Sequence, residues 1–379
     1  MIAWAKVKTT QAKSKHRRTQ SKALAGSPPE RFFEKELVGD QAPSFQTMQA
    51  LFSQSAAIHA ARPWRMFEED QLVLFEEGSQ LCSCSVMGAL GEASAVQIYI
   101  GAQSYSWFVK MHAGEVISIG DFFANQHSVF VHYVPPGDLT PPDRELVRNM
   151  GHPLAKGTQA PLFRTIRPGY HPWFVTEKEA RILERGLRSV LVVAEYVAQE
   201  PAADLWDEED VYPLVEFTAE HSGRWEYVIK QRAAPREIPT MPKLPDLDQH
   251  RIQSILDLRY PSVGILEVDH FYNAAMIGAK HERKACMRIA LAIDAKSAMA
   301  FPPQVGAPEE STGNMLQQVV LEAIEAKGAL PVEIHVLNRE FKVLLDPLAG
   351  SLGFQIKVRD SLPTLHFARS EMQGMLGGA

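Results

Sequence analysis

The chain has 379 residues, 45% of them hydrophobic and 22% charged, and a formal net charge of −6. That length exceeds one compact core, since single cores stop growing beyond about 250–300 residues, so two domains are expected. The ordinary balance excludes wholesale disorder. The longest strongly apolar run, Val190 to Ala198, contains Glu195 and falls well short of the ~20 residues that a membrane span requires.

The N-terminus, "MIAWAKVKTTQAKSKHRRTQSKALAG", carries Lys6, Lys8, Lys13, Lys15, Arg17, Arg18 and Lys22 with no acid before Glu30. It lacks the apolar stretch and cleavage pattern of an export signal, so residues 1–40 are expected to form a disordered basic arm. Taking its seven positive charges from the chain's −6 leaves −13 on the remainder. A basic tail on an acidic body steers toward nucleic acid or an acidic partner through phosphate contacts; a short charge run also serves simply as a solubilising tail.

From Phe45 the pattern becomes globular, and an α+β domain is expected over 41–234. "SFQTMQALFSQSAAI" reads as a helix. Gln71 to Phe75, Cys82 to Met87, Ala95 to Ile100 and Ser128 to Val134 read as strands bounded by Gly and acidic turns. "PPDRELVRNMG" reads as a short helix with Pro at its start and Gly at its end. A loop punctuated by Pro and Gly, "APLFRTIRPGYHPW", then feeds a long amphipathic helix from Thr176. Thr176 with Glu179 makes a capping box, and Ala180, Leu183, Leu187, Val190, Leu191 and Ala194 share one face. The strand pair "YPLVEFTAE" and "WEYVIKQRA" closes the domain. The Pro-rich 235–250 segment reads as a stiff linker.

An α/β domain is expected over 251–379. "VGILEVDHFYN", "MRIALAID" and "AMAFPPQV" read as strands. "STGNMLQQVVLEAIEAKG" reads as a helix started by Ser311 or Thr312 and ended by Gly328. Strand "VEIHVLN", helix "REFKVLLDPLAGSLG", strand "FQIKVRD" and helix "TLHFARSEMQGML" follow, giving the order β-β-β-α-β-α-β-α.

This order over residues 262–376 resembles the ribonuclease H-like fold of transposases, retroviral integrases and related nucleases. The resemblance implies one Asp on the first strand, a second at the end of the fourth and a Glu or Asp on a later helix, converging on two divalent metals. Asp294 and Glu371 are the candidates for the first and third acids. If "VGILEVDH" is the first strand, Asp269 takes the first role instead. The fourth-strand position is Asn338, an amide where magnesium prefers an anionic oxygen, and Asp346, Asp360 and His335 do not stand where the pattern wants a substitute. Asp294 equally fits a plain turn opener in "DAKS".

The stretches "PW" at Pro63 and Trp64, "SVMGALGE" at Ser85 to Glu92, "YIG" at Tyr99 to Gly101, "RPGYHPWFV" at Arg167 to Val175, "GALPVEIHV" and "SLPTL" resemble an uncharacterised two-domain bacterial family. That resemblance implies the layout and no activity.

"RPGYHPW" sets Arg167, Tyr170, His171 and Trp173 in a loop held by two prolines. The composition suits a polar and aromatic pocket for a phosphate or an aromatic ligand, with His171 titrating near neutrality; it equally suits aromatics packed against the long helix. The glycines of "VMGALGE" fit a turn or bulge rather than a phosphate loop. No Gly-x-Ser-x-Gly elbow or His-Glu-x-x-His pair occurs, which removes serine hydrolases and zincins. Cys82, Cys84 and Cys286, an odd number without a secretory leader, read as free thiols in a reducing cytoplasm, and no second pair completes a zinc site.

Two functions follow. One is a non-catalytic cytoplasmic binding or interaction scaffold without a cofactor. The other is a magnesium-dependent nuclease or strand-transfer enzyme using Asp294 and Glu371, with the basic arm holding nucleic acid. The amide at Asn338 favours the first.

Overall fold

A computed structural model describes residues 29–376 apart from 92, 116–117, 202–203, 222–223, 237–240 and 280. The seven basic residues of the arm lie outside the described residues. Phe32, Phe33 and Leu37, which the sequence reading places in the arm, are buried in the first core. Two adjacent Phe and a Leu four residues on are too much apolar surface to leave in water beside an open core.

The first domain is α+β. Ser44 caps α1 (Phe45–Ala61) by accepting from the Thr47 amide. β1 (Val73–Glu77), β2 (Gln80–Met87) and β3 (Ala95–Ile100) follow, then α2 (Gly101–His112), α3 (Ile119–Asn125), β4 (Ser128–Val134), α4 (Pro141–Asn149), β5 (Ala160–Ile166), α5 (Glu177–Gln199), β6 (Val211–His221) and β7 (Arg224–Ala233). The seven strands form one sheet in the order β5-β4-β3-β2-β1-β6-β7. All neighbours run antiparallel except β1 and β6, which pair parallel at Leu74 with Leu214. α1 and α5 cover one face, where Phe75, Cys82, Cys84, Ile98, Leu183 and Leu187 meet. Gly186 lets α5 approach the sheet, because a Cβ there would overlap the Ile98 side chain. On the other face α2 lays Tyr105 and Phe108 against Leu72 and Tyr99.

The second domain is α/β. It contains α6 (Gln249–Asp257), β8 (Ile265–Ile277), β9 (Ala285–Asp294), β10 (Gln304–Gly306), α7 (Thr312–Lys327), β11 (Glu333–Val336), α8 (Arg339–Leu352), β12 (Gln355–Val358) and α9 (Pro363–Leu376). Their sheet has the order β10-β9-β8-β11-β12. The first three strands are antiparallel, and β11 and β12 run parallel to β8. Side chains alternate across β8: Leu266 and Val268 join the core with α7 and α8, while Phe271 joins a smaller core with Leu362 and Leu365 of α9. Glu267 and Asp269 share the α9 side of the strand.

Five elements differ from expectation, among them α6, which starts inside the expected linker. "GAQSYSWFVKMH" and "IGDFFAN" form α2 and α3, and "APLFRTI" forms β5 rather than a loop. The third strand expected from "AMAFPPQV" shrinks to Gln304–Gly306, because Pro302 and Pro303 have no amide hydrogen to offer the ladder.

The domains meet along a seam. α3 packs against β8, with no room for a Cβ at Gly120 beside the Tyr272 carbonyl. Loop residues Gly169 and His171 bond to the start of β9: the Cys286 amide donates to Gly169 O and the His171 amide to Lys284 O, at 2.8 and 2.9 Å.

Candidate functional site

Asp294 ends β9 with its side chain 7% exposed. Its Oδ1 accepts from the Lys296 and Ser297 amides and from Ser297 Oγ, at 3.1, 2.8 and 2.9 Å. Its Oδ2 accepts from Lys327 Nζ, on the last turn of α7, at 2.5 Å. The Lys327 hydrogen bond, with those from Ser297, holds this carboxyl well below the usual carboxylate range. Both oxygens are thus engaged in opening the turn and closing an ion pair.

The other positions of the expected triad are occupied in the same local way. Asn338 is the N-cap of α8, its Oδ1 accepting from the Phe341 amide at 2.8 Å. Glu371 is exposed on α9. Asp346 pairs with Lys342 one helical turn away at 2.7 Å, Asp360 is exposed, and His335 meets Glu333 at 3.0 Å. Among the described residues no three His, Cys, Asp or Glu side chains gather as metal ligands. The residues present do not fit the magnesium pair that a ribonuclease H-like fold implies, since Asp294 is spent on Lys327 and its own turn and Asn338 on a helix end.

The first strand of this sheet is β8, which puts Asp269, not Asp294, at the first-acid position. Asp269 is 3% exposed, and its Oδ2 has no hydrogen-bond partner among the described residues. Arg369 of α9 brings Nη1 to 3.7 Å and lays its guanidinium 4.5 Å from the Phe271 ring centroid. Burial pushes the Asp269 carboxyl up to about 6 against the attraction of Arg369, and Asp121 of α3 adds to the rise. Beside it, Glu267 accepts from the Leu365 amide at 2.8 Å. A positive charge is therefore already supplied to Asp269 by the protein itself.

The "RPGYHPW" loop is drawn into the seam, and its four candidate side chains diverge there. Arg167 donates from Nε to Glu179 Oε1 at 2.8 Å and from Nη1 to Asp40 Oδ2 at 3.0 Å. Glu179 also closes the capping box of α5, accepting from the Thr176 amide at 2.8 Å, and takes Thr165 Oγ1 at 3.0 Å. Burial acts to raise Glu179, but the hydrogen bond and charge of Arg167 outweigh it and hold the carboxyl low. Tyr170 reaches across to the Glu309 carboxylate and bridges Ala285. The His171 ring lies 4.7 Å from that of Phe123. Trp173 Nε1 donates to Glu36 O at 2.7 Å.

Two cavities flank the Arg167–Asp40 pair. The larger, about 260 Å³, is lined by Arg167, His127, Lys178 and Glu179 over Ile100 and Ile182; burial lowers the His127 imidazole. The smaller, about 60 Å³, has Arg283, Asp40, Glu36, Glu282 and Trp173 in its wall. Sequence reasoning passed over Arg283 because "HERK" looks like any solvated charged turn, and its neighbour Asp40 stands far away in the chain. Burial and the nearby Arg167 charge lower the Arg283 guanidinium to about 10.

Cys82, Cys84 and Cys286 are buried free thiols, with Cys82 and Cys286 each pushed up to about 12 by burial. Among the described residues no helix is long and apolar enough to cross a membrane.

Residues 49–213 match the family model described as Domain of unknown function (DUF7309), and residues 251–373 match Domain of unknown function (DUF6930). No curated protein matches the chain.

Proposed function

We propose that this pairing of two domains of unknown function acts as a non-catalytic binding scaffold in a reducing cytoplasm. One observation carries the reading: of the positions at which a ribonuclease H-like enzyme holds metal, Asp269 on the first strand faces Arg369 of the same chain and Asn338 after the fourth caps a helix, while Asp294 opens a turn. Antiparallel strands followed by alternating helices, united in one sheet around β8, support the likeness to that fold, and the local duties of its acids support a frame kept without its chemistry. Fold alone does not choose a function; the site does. The 260 Å³ cavity beside Arg167 approaches the size range of small-ligand pockets, and in this reading it is where the scaffold takes a ligand. The basic residues from Lys6 to Lys22 add a weak, salt-sensitive contact to nucleic acid.

The alternative, a divalent-metal nuclease, draws on Asp269 of the central strand, whose Oδ2 lacks a hydrogen-bond partner among the described residues. A cleavage assay separates the two. The full chain is incubated with single- and double-stranded DNA and RNA in magnesium or manganese, beside Asp269→Asn and Asp294→Ala. The scaffold reading expects no cleavage above a metal-free control. Metal-dependent cleavage that disappears in Asp269→Asn overturns it.

A further inference from the structure

β7 ends the seven-stranded sheet: its ten residues pair with β6 on one side, and among the described residues no strand lies on the other. A free edge presents a row of backbone amides and carbonyls to any strand that can lie beside it. The side chains along it are open as well, with Tyr227 42% and Val228 43% exposed and Glu226, Lys230, Gln231 and Arg232 exposed. Alternation puts Glu226, Val228 and Lys230 on one face and Tyr227 and Ile229 on the other, where Ile229 packs against the first core.

Natural edges are blunted by lysine, by proline or by brevity. β7 is long and holds no proline, and its Lys230 is answered by an acid of the same strand. When a strand pairs antiparallel with a copy of itself about a two-fold axis, residues equally far from the axis on either side come opposite one another. With the axis at Val228, Val228 meets Val228 of the second copy, Tyr227 meets Ile229, and Glu226 meets Lys230. These are the kinds of pair that stabilise adjacent strands: apolar with apolar, aromatic with β-branched, and acid with base. Neighbouring registers lose the match, since an axis at Tyr227 sets Glu226 against Val228, and one at Ile229 sets Val228 against Lys230. Lys230 already donates to Glu216 of its own chain at 2.6 Å and has further donors to share. Arg232, which comes opposite Arg224 of the second copy, is already paired with Glu76 at 3.7 Å.

We propose that β7 is a self-association surface, pairing antiparallel with β7 of a second copy about a two-fold axis at Val228 and joining the two sheets into one. The joint is small. A single strand pair buries less than the ~1,200 Å² at the low end of stable interfaces, so a dissociation constant on the order of 10 µM is expected. The proposal does not rest on the ligand-binding reading: cleavage would overturn that reading and leave this one standing.

The test is sedimentation equilibrium of the full chain over roughly 1–200 µM, a range that brackets this constant. The wild type is expected to pass from monomer to dimer. Glu226→Lys sets lysine against lysine twice across the joint, and Lys230→Glu sets glutamate against glutamate twice, so each variant alone is expected to dimerise at least about tenfold more weakly. Mixed in equal amounts, the two are expected to recover the wild-type affinity, because each copy supplies the charge that the other lacks. Both changes lie at exposed positions, and thermal melts like that of the wild type are expected for each. A wild type that stays monomeric throughout the range, a Glu226→Lys variant that dimerises as tightly as the wild type, or a mixture no tighter than its components each overturns the proposal.

Discussion

The Cys286 amide donates to the Gly169 carbonyl across 2.8 Å, joining the first residues of β9 to a loop of the other domain. Gly169 has φ +81°, and a Cβ there would stand 2.8 Å from the Pro308 Cβ. Gly169→Ala therefore strains the backbone and pushes the second domain away. The expected cost is about 1–3 kcal/mol. Urea unfolding followed by tryptophan fluorescence should change from one transition toward two as the domains uncouple; an unchanged single transition at the original midpoint would show that the bridge does not couple them.

Asp294 and Lys327 give a second expectation. Removing one partner of a nearly buried pair leaves the other charge uncompensated, so Asp294→Ala should lose about 3 kcal/mol. Asp294→Asn, which retains the turn bonds from Lys296 and Ser297, should lose less. The folded carboxyl is depressed, mainly by Lys327. Its contribution is therefore present above the unfolded value near pH 4 and fades as the pH falls below it. Thermal melts of wild type and variants from pH 2 to pH 7 check this, and the wild-type advantage should shrink at the acid end.

Asp269 has the opposite sign. Its folded carboxyl is raised to about 6 by burial, so the folded state binds the proton more tightly than the unfolded chain does. Stability then declines as pH rises from about 4 through 6, by about 3 kcal/mol from the two-unit difference. Arg369, on the facing helix, and Asp121, on α3, are the charges that tune it. Asp269→Asn should remove this slope while keeping the shape of the side chain. A variant whose stability still falls by the same amount between pH 4 and 6 would place the proton elsewhere.

At the start of α5, Thr176 is 6% exposed and shares a reciprocal cap with Glu179. Thr176→Ala should cost about 1–2 kcal/mol. Glu371→Gln on exposed α9 should stay within about 0.5 kcal/mol. Denaturant midpoints of the two variants, measured side by side, set a structural acid partner against a solvent-facing acid; a Glu371 loss equal to that of Thr176 would give Glu371 an unseen role.

Legibility in the sequence followed the reach of the physics. The cap at Thr176, the face of α5, the cap at Ser311 and the stop at Gly328 depend on neighbours three or four residues away, and each appears in the structure. α2 escaped because "GAQSYSWFVKMH" mixes aromatic, β-branched and small residues without a clear apolar stripe, and it begins on a glycine directly after a strand. β5 escaped because the prolines and glycine after it made the whole stretch look like loop. At the candidate site, the residue types of the "RPGYHPW" loop were visible, but the partners Asp40, Glu36, Glu309 and Lys284 that separate its side chains come from distant segments. Arg283 and Asp269 acquire their character from burial and from charges brought in by other elements, which no local spacing records.

The parallel pairing of β1 with β6 sets a condition on the birth of the molecule. Leu74 leaves the ribosome long before Leu214, and at ~5–20 residues per second the interval is on the order of 10 s. Throughout that time one edge of β1 offers unpaired amides and carbonyls beside the apolar side chains of Val73 and Phe75. A nascent chain stalled between the two strands would thus present a ready template for aggregation, whereas one released after residue 221 would not. Synthesis of this protein is most vulnerable while α5 is being made, and a chaperone bound to the growing chain would have its greatest effect there.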